Sequence, residues 1–159
     1  MERGRLREPP VRPLVLLVDG HDDTLALYAI ALSALGFNVT AAEDGTEAFR
    51  RACQLHPDII VTELTLRHAS AWDLLGQLKR DPRTHHVPVA ILTGDTRAMT
   101  HARAVREGSA ALLVKPCHPD QLVIELRDLV EDLVFHTRVV SRLMAIADHA
   151  RDVIKNFRA

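Results

Sequence analysis

The chain has two cysteines in 159 residues, Cys53 and Cys117. They lie far apart and lack metal-type spacing, so neither a disulfide framework nor a zinc centre is expected. Two reduced thiols in a cytoplasmic protein is the simpler reading. No apolar run approaches the ~20 residues that cross a bilayer. The first ten residues, MERGRLREPP, hold no apolar signal core, which argues against secretion. Charge of one sign is also missing. The formal net charge is −1, which gives no global electrostatic case for nucleic acid. There is no internal repeat, no low-complexity segment, no glycine-rich phosphate loop and no Ser–His–Asp arrangement. His85 and His86 are adjacent, and adjacent side chains rarely converge on one ion. They read as exposed loop residues.

What is present is an ordinary core-forming composition, 47% hydrophobic and 26% charged. Residues 1–12 are polar and Arg-rich and read as a basic, mobile tail. From Leu14 short apolar runs alternate with helical spacing. Leu14–Val18 is short enough for a buried parallel strand. Asp22–Leu35 carries Leu25, Tyr28, Leu32 and Leu35 at helical spacing, and Gly36 stands where a helix end needs positive φ. A strand is expected at Asn38–Ala42. The next helix is capped by Asp44, with Glu47 as its capping-box partner, and runs to about Leu55. Further strands are expected at Ile59–Thr62, Val87–Leu92 and Ala111–Val114. Helices are expected at Ser70–Arg80 and Thr96–Glu107, the latter stopped by Gly108. Such alternation predicts a parallel sheet covered on both faces, in a flavodoxin-like order. Sites in open parallel sheets form beyond the carboxyl ends of the strands. That places Asp19, Glu63, Thr93 and Lys115 at the candidate site.

These four positions, the stretch Asp81–Gly94 and the run Gly108–Pro116 ending in Lys-Pro resemble the receiver domain of two-component response regulators. The resemblance spans about Leu14 to Leu133. It implies an α/β, flavodoxin-like (βα)5 fold with a central five-stranded parallel sheet. It also implies signalling rather than enzymatic function, and a histidine kinase or downstream effector as partner. In working receivers two acids after strand one and an acceptor aspartate after strand three hold Mg²⁺. A threonine or serine after strand four and a lysine after strand five contact the phosphoryl group. Asp19, Thr93 and Lys115 match that pattern.

The departures are at Gly20, which takes the second acidic position, and at Glu63, which takes the acceptor position. A carboxyl one methylene longer misplaces the nucleophile by more than ~1 Å, a shift that can cost about a hundredfold in rate. With Gly20 supplying no ligand, the Mg²⁺ site is expected to be degraded and no cofactor is expected. Glu63 either pairs with Lys115 and imitates part of the phosphorylated charge pattern, or merely fills a solvated pocket. Asp22 and Asp23 either cap the first helix and stabilise its dipole or stand in for the missing ligand. Leu112 replaces the aromatic switch residue common three positions before the lysine. In the loop after strand three, Arg67, His68 and Ala71 replace the usual Pro and Gly. Trp72 reads as packing.

No Gly or Pro follows Pro119. Leu122, Leu126, Leu129 and Leu133, then Val140, Leu143, Ala147, Ala150, Ile154 and Phe157, recur at steps of four and three, with His136 the polar exception. This predicts one long helix of roughly 55–60 Å at ~1.5 Å per residue. A receiver at 13–134 is then followed by a helical extension at 135–159. Val140, Leu143, Ala147, Ile154 and Phe157 are its candidate self-association surface, giving a coiled-coil homodimer. A break near His136-Thr137, with the segment folded back, is the alternative. The first reading is a phosphorylation-independent receiver acting by protein–protein contact. A working phosphoacceptor is the second reading. A nucleic-acid regulator using the C-terminal helix is the third, although its polar face mixes charges of both signs.

Overall fold

The computed structural model describes residues 12–157 and, within the last helix, the side chains of residues 119–134, 140–147 and 151. The N-terminal tail up to residue 11 lies outside the described residues. So do the side chains of His136, Ala150, Ile154 and Phe157.

Five parallel strands form the central sheet: β1 (Leu14–Val18), β2 (Asn38–Ala42), β3 (Ile59–Thr62), β6 (Val89–Thr93) and β7 (Ala111–Val114), in the order β2-β1-β3-β6-β7. The helices are α1 (Asp22–Ala34), α2 (Gly45–Leu55), α3 (Ala71–Arg80), α4 (Ala98–Glu107) and α5 (Pro119–Phe157). Strand alternation divides the core in two. Val15, Leu17, Ile59, Val61 and Leu92 face α1 and the root of α5, where Leu25, Leu32, Leu122 and Leu126 complete one cluster. Leu16, Val18, Ile60 and Val89 face α2 and α3, against Ala48, Ala52, Leu74 and Leu78. Both faces of β1 are therefore buried, which is why its sequence is a continuous apolar run.

Local chemistry sets the helix ends. Gly36 (φ 101°) and Gly108 (φ 81°) take left-handed conformations that a Cβ disfavours. Asp44 Oδ1 accepts from the Glu47 backbone N–H at 2.8 Å. The expected reciprocal bond is displaced by one residue, because Glu47 accepts from the Glu43 N–H. A full capping box forms instead at α3, between Ser70 and Asp73.

Several expectations need correction. The fourth parallel strand starts at Val89 and not Val87, because the Val87 N–H closes a turn on the Thr84 carbonyl and Pro88 has no N–H to give. Helix α4 starts at Ala98 and not Thr96, since Asp95 and Arg97 form a closed side-chain clip ahead of it. His21, not Asp22 or Asp23, occupies the N-cap position of α1. The two aspartates fall in the first turn, where they favour the dipole without capping. The loop after β3 contains a small antiparallel hairpin, β4 (Thr65–Leu66) and β5 (Ala69–Ser70), with His68 at φ 59° in its turn. Helix α5 runs without interruption from Pro119 to Phe157, so the predicted single long helix is found and the break near His136 is not.

Candidate functional site

The site lies at the carboxyl edge of the sheet, and the backbone ladder continues just far enough to fix it. The Asp19 N–H donates to the Ala42 carbonyl, the Glu63 N–H to Val18 and the Lys115 N–H to Thr93. The ends of β1, β3 and β7 are thus tied to β2, β1 and β6 respectively, and the three side chains converge. Lys115 Nζ lies 2.6 Å from Glu63 Oε2 and 3.3 Å from Asp19 Oδ2. All three side chains are largely withdrawn from solvent, with Lys115 27% exposed and the carboxylates less.

Every carboxylate oxygen here has a partner. Glu63 Oε1 accepts from the Leu64 backbone N–H at 2.7 Å. Asp19 Oδ1 accepts from the His21 backbone N–H at 2.9 Å and lies 2.9 Å from His21 Nδ1. Burial pushes the Lys115 ammonium toward neutrality, but the hydrogen bond and charge of Glu63, with Asp19 behind them, raise its pKa overall. Beneath the site Tyr28 donates to the Cys117 carbonyl at 2.9 Å. Its pKa is raised by burial and then by the negative charges around it.

Thr93 ends β6 and is buried, but its hydroxyl accepts from the Asp95 N–H, tying it to the following turn. Leu112 lies away from the ion-pair cluster, packed with Trp72 and Leu64 against Ala71, Ile91 and Ala104. Asp19, Glu63 and Lys115 therefore come together, Thr93 sits at the same edge, and Leu112 belongs to the packing under α4.

Two residues not anticipated complete the site. His21 holds Asp19 from the solvent side. Arg67, read only as a departure in a loop, reaches across the hairpin. Its Nη2 donates to the Gly20 carbonyl at 2.9 Å and its Nη1 lies 3.5 Å from Glu43 Oε2. A Cβ placed on Gly20 would lie 3.4 Å from Arg67 Cγ and 3.6 Å from its Nε. The arginine stem thus lies in ordinary van der Waals contact with the place a Cβ at position 20 would take. Among the described residues no group of three or more His, Cys, Asp or Glu side chains is arranged to hold a metal ion.

The fold and this strand-end cluster define a receiver. The family model for the response regulator receiver domain matches residues 15–127, and the chain belongs to that family. Curated relatives include the DNA-binding dual master transcriptional regulator RpaA of Synechocystis, 29% identical over 118 residues, which cover 74% of this chain and 49% of RpaA. The response regulator PleD of Caulobacter vibrioides is 28% identical over 115 residues, covering 72% of this chain and 25% of PleD. The chain thus spans half or less of these relatives' length. Among solved structures, the receiver domain of a LuxO repressor protein from Vibrio parahaemolyticus aligns with TM-score 0.75 at 22% identity, covering 81% of this chain and 98% of that one. The chemotaxis response regulator CheY4 of Vibrio cholerae aligns with TM-score 0.71 at 23% identity, covering 75% and 99%. At these identities the structural likeness establishes the fold. Among the described residues no helix is long and apolar enough to cross a membrane.

Proposed function

We propose that this receiver signals by protein–protein contact, independently of phosphorylation at Glu63, and that its Mg²⁺ site is degraded. The observation that carries the reading is Arg67 lying over Gly20, where working receivers place a second metal-binding acid. Mg²⁺ needs near-octahedral oxygen ligation. Here two carboxylates remain, and an ammonium already lies between them. Glu63, one methylene longer than aspartate, supports the same conclusion. Its contact with Lys115 supplies one permanent negative charge where a phosphoryl group adds ~1.5–2. The protein acts in the cytoplasm with a histidine kinase or downstream effector as partner and has no enzymatic activity of its own.

The second element of the proposal is self-association through α5. Beyond its buried root the helix leaves Val140, Leu143, Met144 and Ile146 between 51% and 66% exposed, with Ala147 exposed beside them. An isolated helix is marginal in water, so this stretch needs a packing partner to be stable. A second copy with the same stripe is the partner proposed.

The test of phosphorylation independence is intact-mass measurement after incubation with acetyl phosphate and Mg²⁺. No adduct is expected. A Mg²⁺-dependent gain of one phosphoryl group mapped to Glu63 establishes the working-phosphoacceptor reading instead.

A further inference from the structure

A groove of about 440 Å³ runs between α3 and α4, on the side of the sheet edge away from α1 and α5. Its floor is apolar, formed by Leu64 and Trp72, and Met99 stands at its rim 84% exposed. Its charged lining is three arginines, Arg97, Arg103 and Arg106, and one aspartate, Asp95. The aspartate is already engaged: both its oxygens accept from Arg97, and one also accepts from Thr100. Asp73, across the groove on α3, is occupied with the Ser70 N–H and hydroxyl. One cation is left over and a second is only loosely held. Arg103 lies 4.7 Å over the Trp72 ring and reaches Glu107 only at 3.6 Å, in the weaker order with the base preceding the acid. Arg106 is exposed and has no hydrogen bond or ion pair among the described residues. An aromatic floor beneath one free and one loosely held guanidinium group matches an apolar anchor flanked by carboxylates.

The groove is also joined to the strand-end site. Leu64 on its floor gives its N–H to Glu63, and Asp95 in its wall gives its N–H to Thr93. Both ends of the pocket are thus one residue or one hydrogen bond from the groove.

From this we infer that the α3–α4 groove docks an acidic peptide segment of a partner protein, with an apolar side chain on the Leu64–Trp72 floor beside the Arg103 guanidinium and carboxylates on Arg103 and Arg106. The inference rests on the contact-signalling reading by naming the contact surface. The two fail separately, because the groove is tested with no phosphoryl donor or Mg²⁺ present. Trp72 is the sole tryptophan, so its fluorescence reports directly on the groove.

The probe is a synthetic twelve-residue peptide with a central Leu-Leu pair flanked by glutamates. One control replaces every glutamate by lysine, and a second replaces the two leucines by glutamate. The full chain should show a saturable change in Trp72 emission with the first peptide, weakening as salt is raised. The lysine peptide should give none, and the all-glutamate peptide should bind more weakly. Arg103→Gln with Arg106→Gln should reduce affinity roughly tenfold, the sum expected from two exposed charge contacts. Because Arg103 covers the reporting ring, that affinity is read by isothermal titration. Near-ultraviolet circular dichroism checks the fold. No saturable binding of the acidic peptide, equal binding of the lysine peptide, or an unchanged affinity in the double variant overturns the inference.

Discussion

Replacing Lys115 by methionine removes the single cation between two carboxylates and keeps most of the side-chain volume. In the native chain Nζ is 2.6 Å from Glu63 and 3.3 Å from Asp19, with Lys115 27% exposed. Fully buried pairs lose about 3–5 kcal/mol when one partner is deleted, and exposed pairs lose about 0–1. Partial burial puts Lys115→Met between these limits, at about 2 kcal/mol at pH 7. For a chain of this size that corresponds to a fall in Tm of roughly 4–8 °C. Glu63→Gln should cost less, about 1 kcal/mol, because Asp19 still faces the ammonium. The pH dependence separates this cause from lost packing. Lys115 has a raised pKa in the folded state. Its contribution is therefore complete below the unfolded value of about 10.5 and disappears as pH rises through the folded value. Urea denaturation of both proteins from about pH 7 to about pH 12 measures it. A variant as stable as the native chain at pH 7, or a deficit that stays constant as pH rises to about 12, refutes the electrostatic account.

Further outcomes follow from other contacts. Ser70→Ala removes the capping box of α3 and should cost about 1 kcal/mol in chemical denaturation. Gly20→Asp with Glu63→Asp should restore Mg²⁺ binding measurable by isothermal titration, and adding Arg67→Ala should tighten it by removing the guanidinium cation that lies beside position 20. Millimolar or tighter Mg²⁺ binding by the unmodified chain contradicts the degraded-site reading. Leu143→Asp with Ile154→Asp should give a monomer with an intact receiver core in sedimentation velocity. A native chain already monomeric at micromolar concentration contradicts the self-association proposal. Asp81 is held at a pKa of about 2 by the Arg83 guanidinium and then by its backbone N–H. Its depressed value means the clip stabilises the fold above the ordinary carboxylate range and is lost as pH falls toward 2. Carboxyl-detected NMR titration reads that value directly.

The framework was legible because its signals are local. Leu14–Val18 is apolar on both faces because both faces are covered, and Gly36 and Gly108 mark helix ends by a backbone conformation that other residues resist. Asp19, Glu63 and Lys115 could be placed together because each follows a strand of one parallel sheet. The geometry agrees with the ion-pair expectation for Glu63 over the solvated-pocket alternative. What could not be read depends on distant partners or on elements too short to show a period. Arg67 acquires its role from Gly20, 47 residues earlier, and Glu43, and nothing in the loop itself announces either. The β4–β5 hairpin has two residues per strand, fewer than alternation needs to be visible. The N-cap of α1 fell to His21, because Asp19 had already turned the chain by accepting the His21 N–H.

Helix α5 is rooted in the sheet by Leu122 and Leu126, both fully buried, and continues as one rod to Phe157. About thirty residues at ~1.5 Å each put its far end roughly 46 Å from the root. A tilt of only ~5° imposed at Leu122 and Leu126 displaces that end by about 4 Å. The receiver thus carries a lever arm whose fulcrum is its own core. A tilt of that size at the root, too slight to alter the domain's outline, would become a displacement at the tip comparable to the spacing between neighbouring side chains.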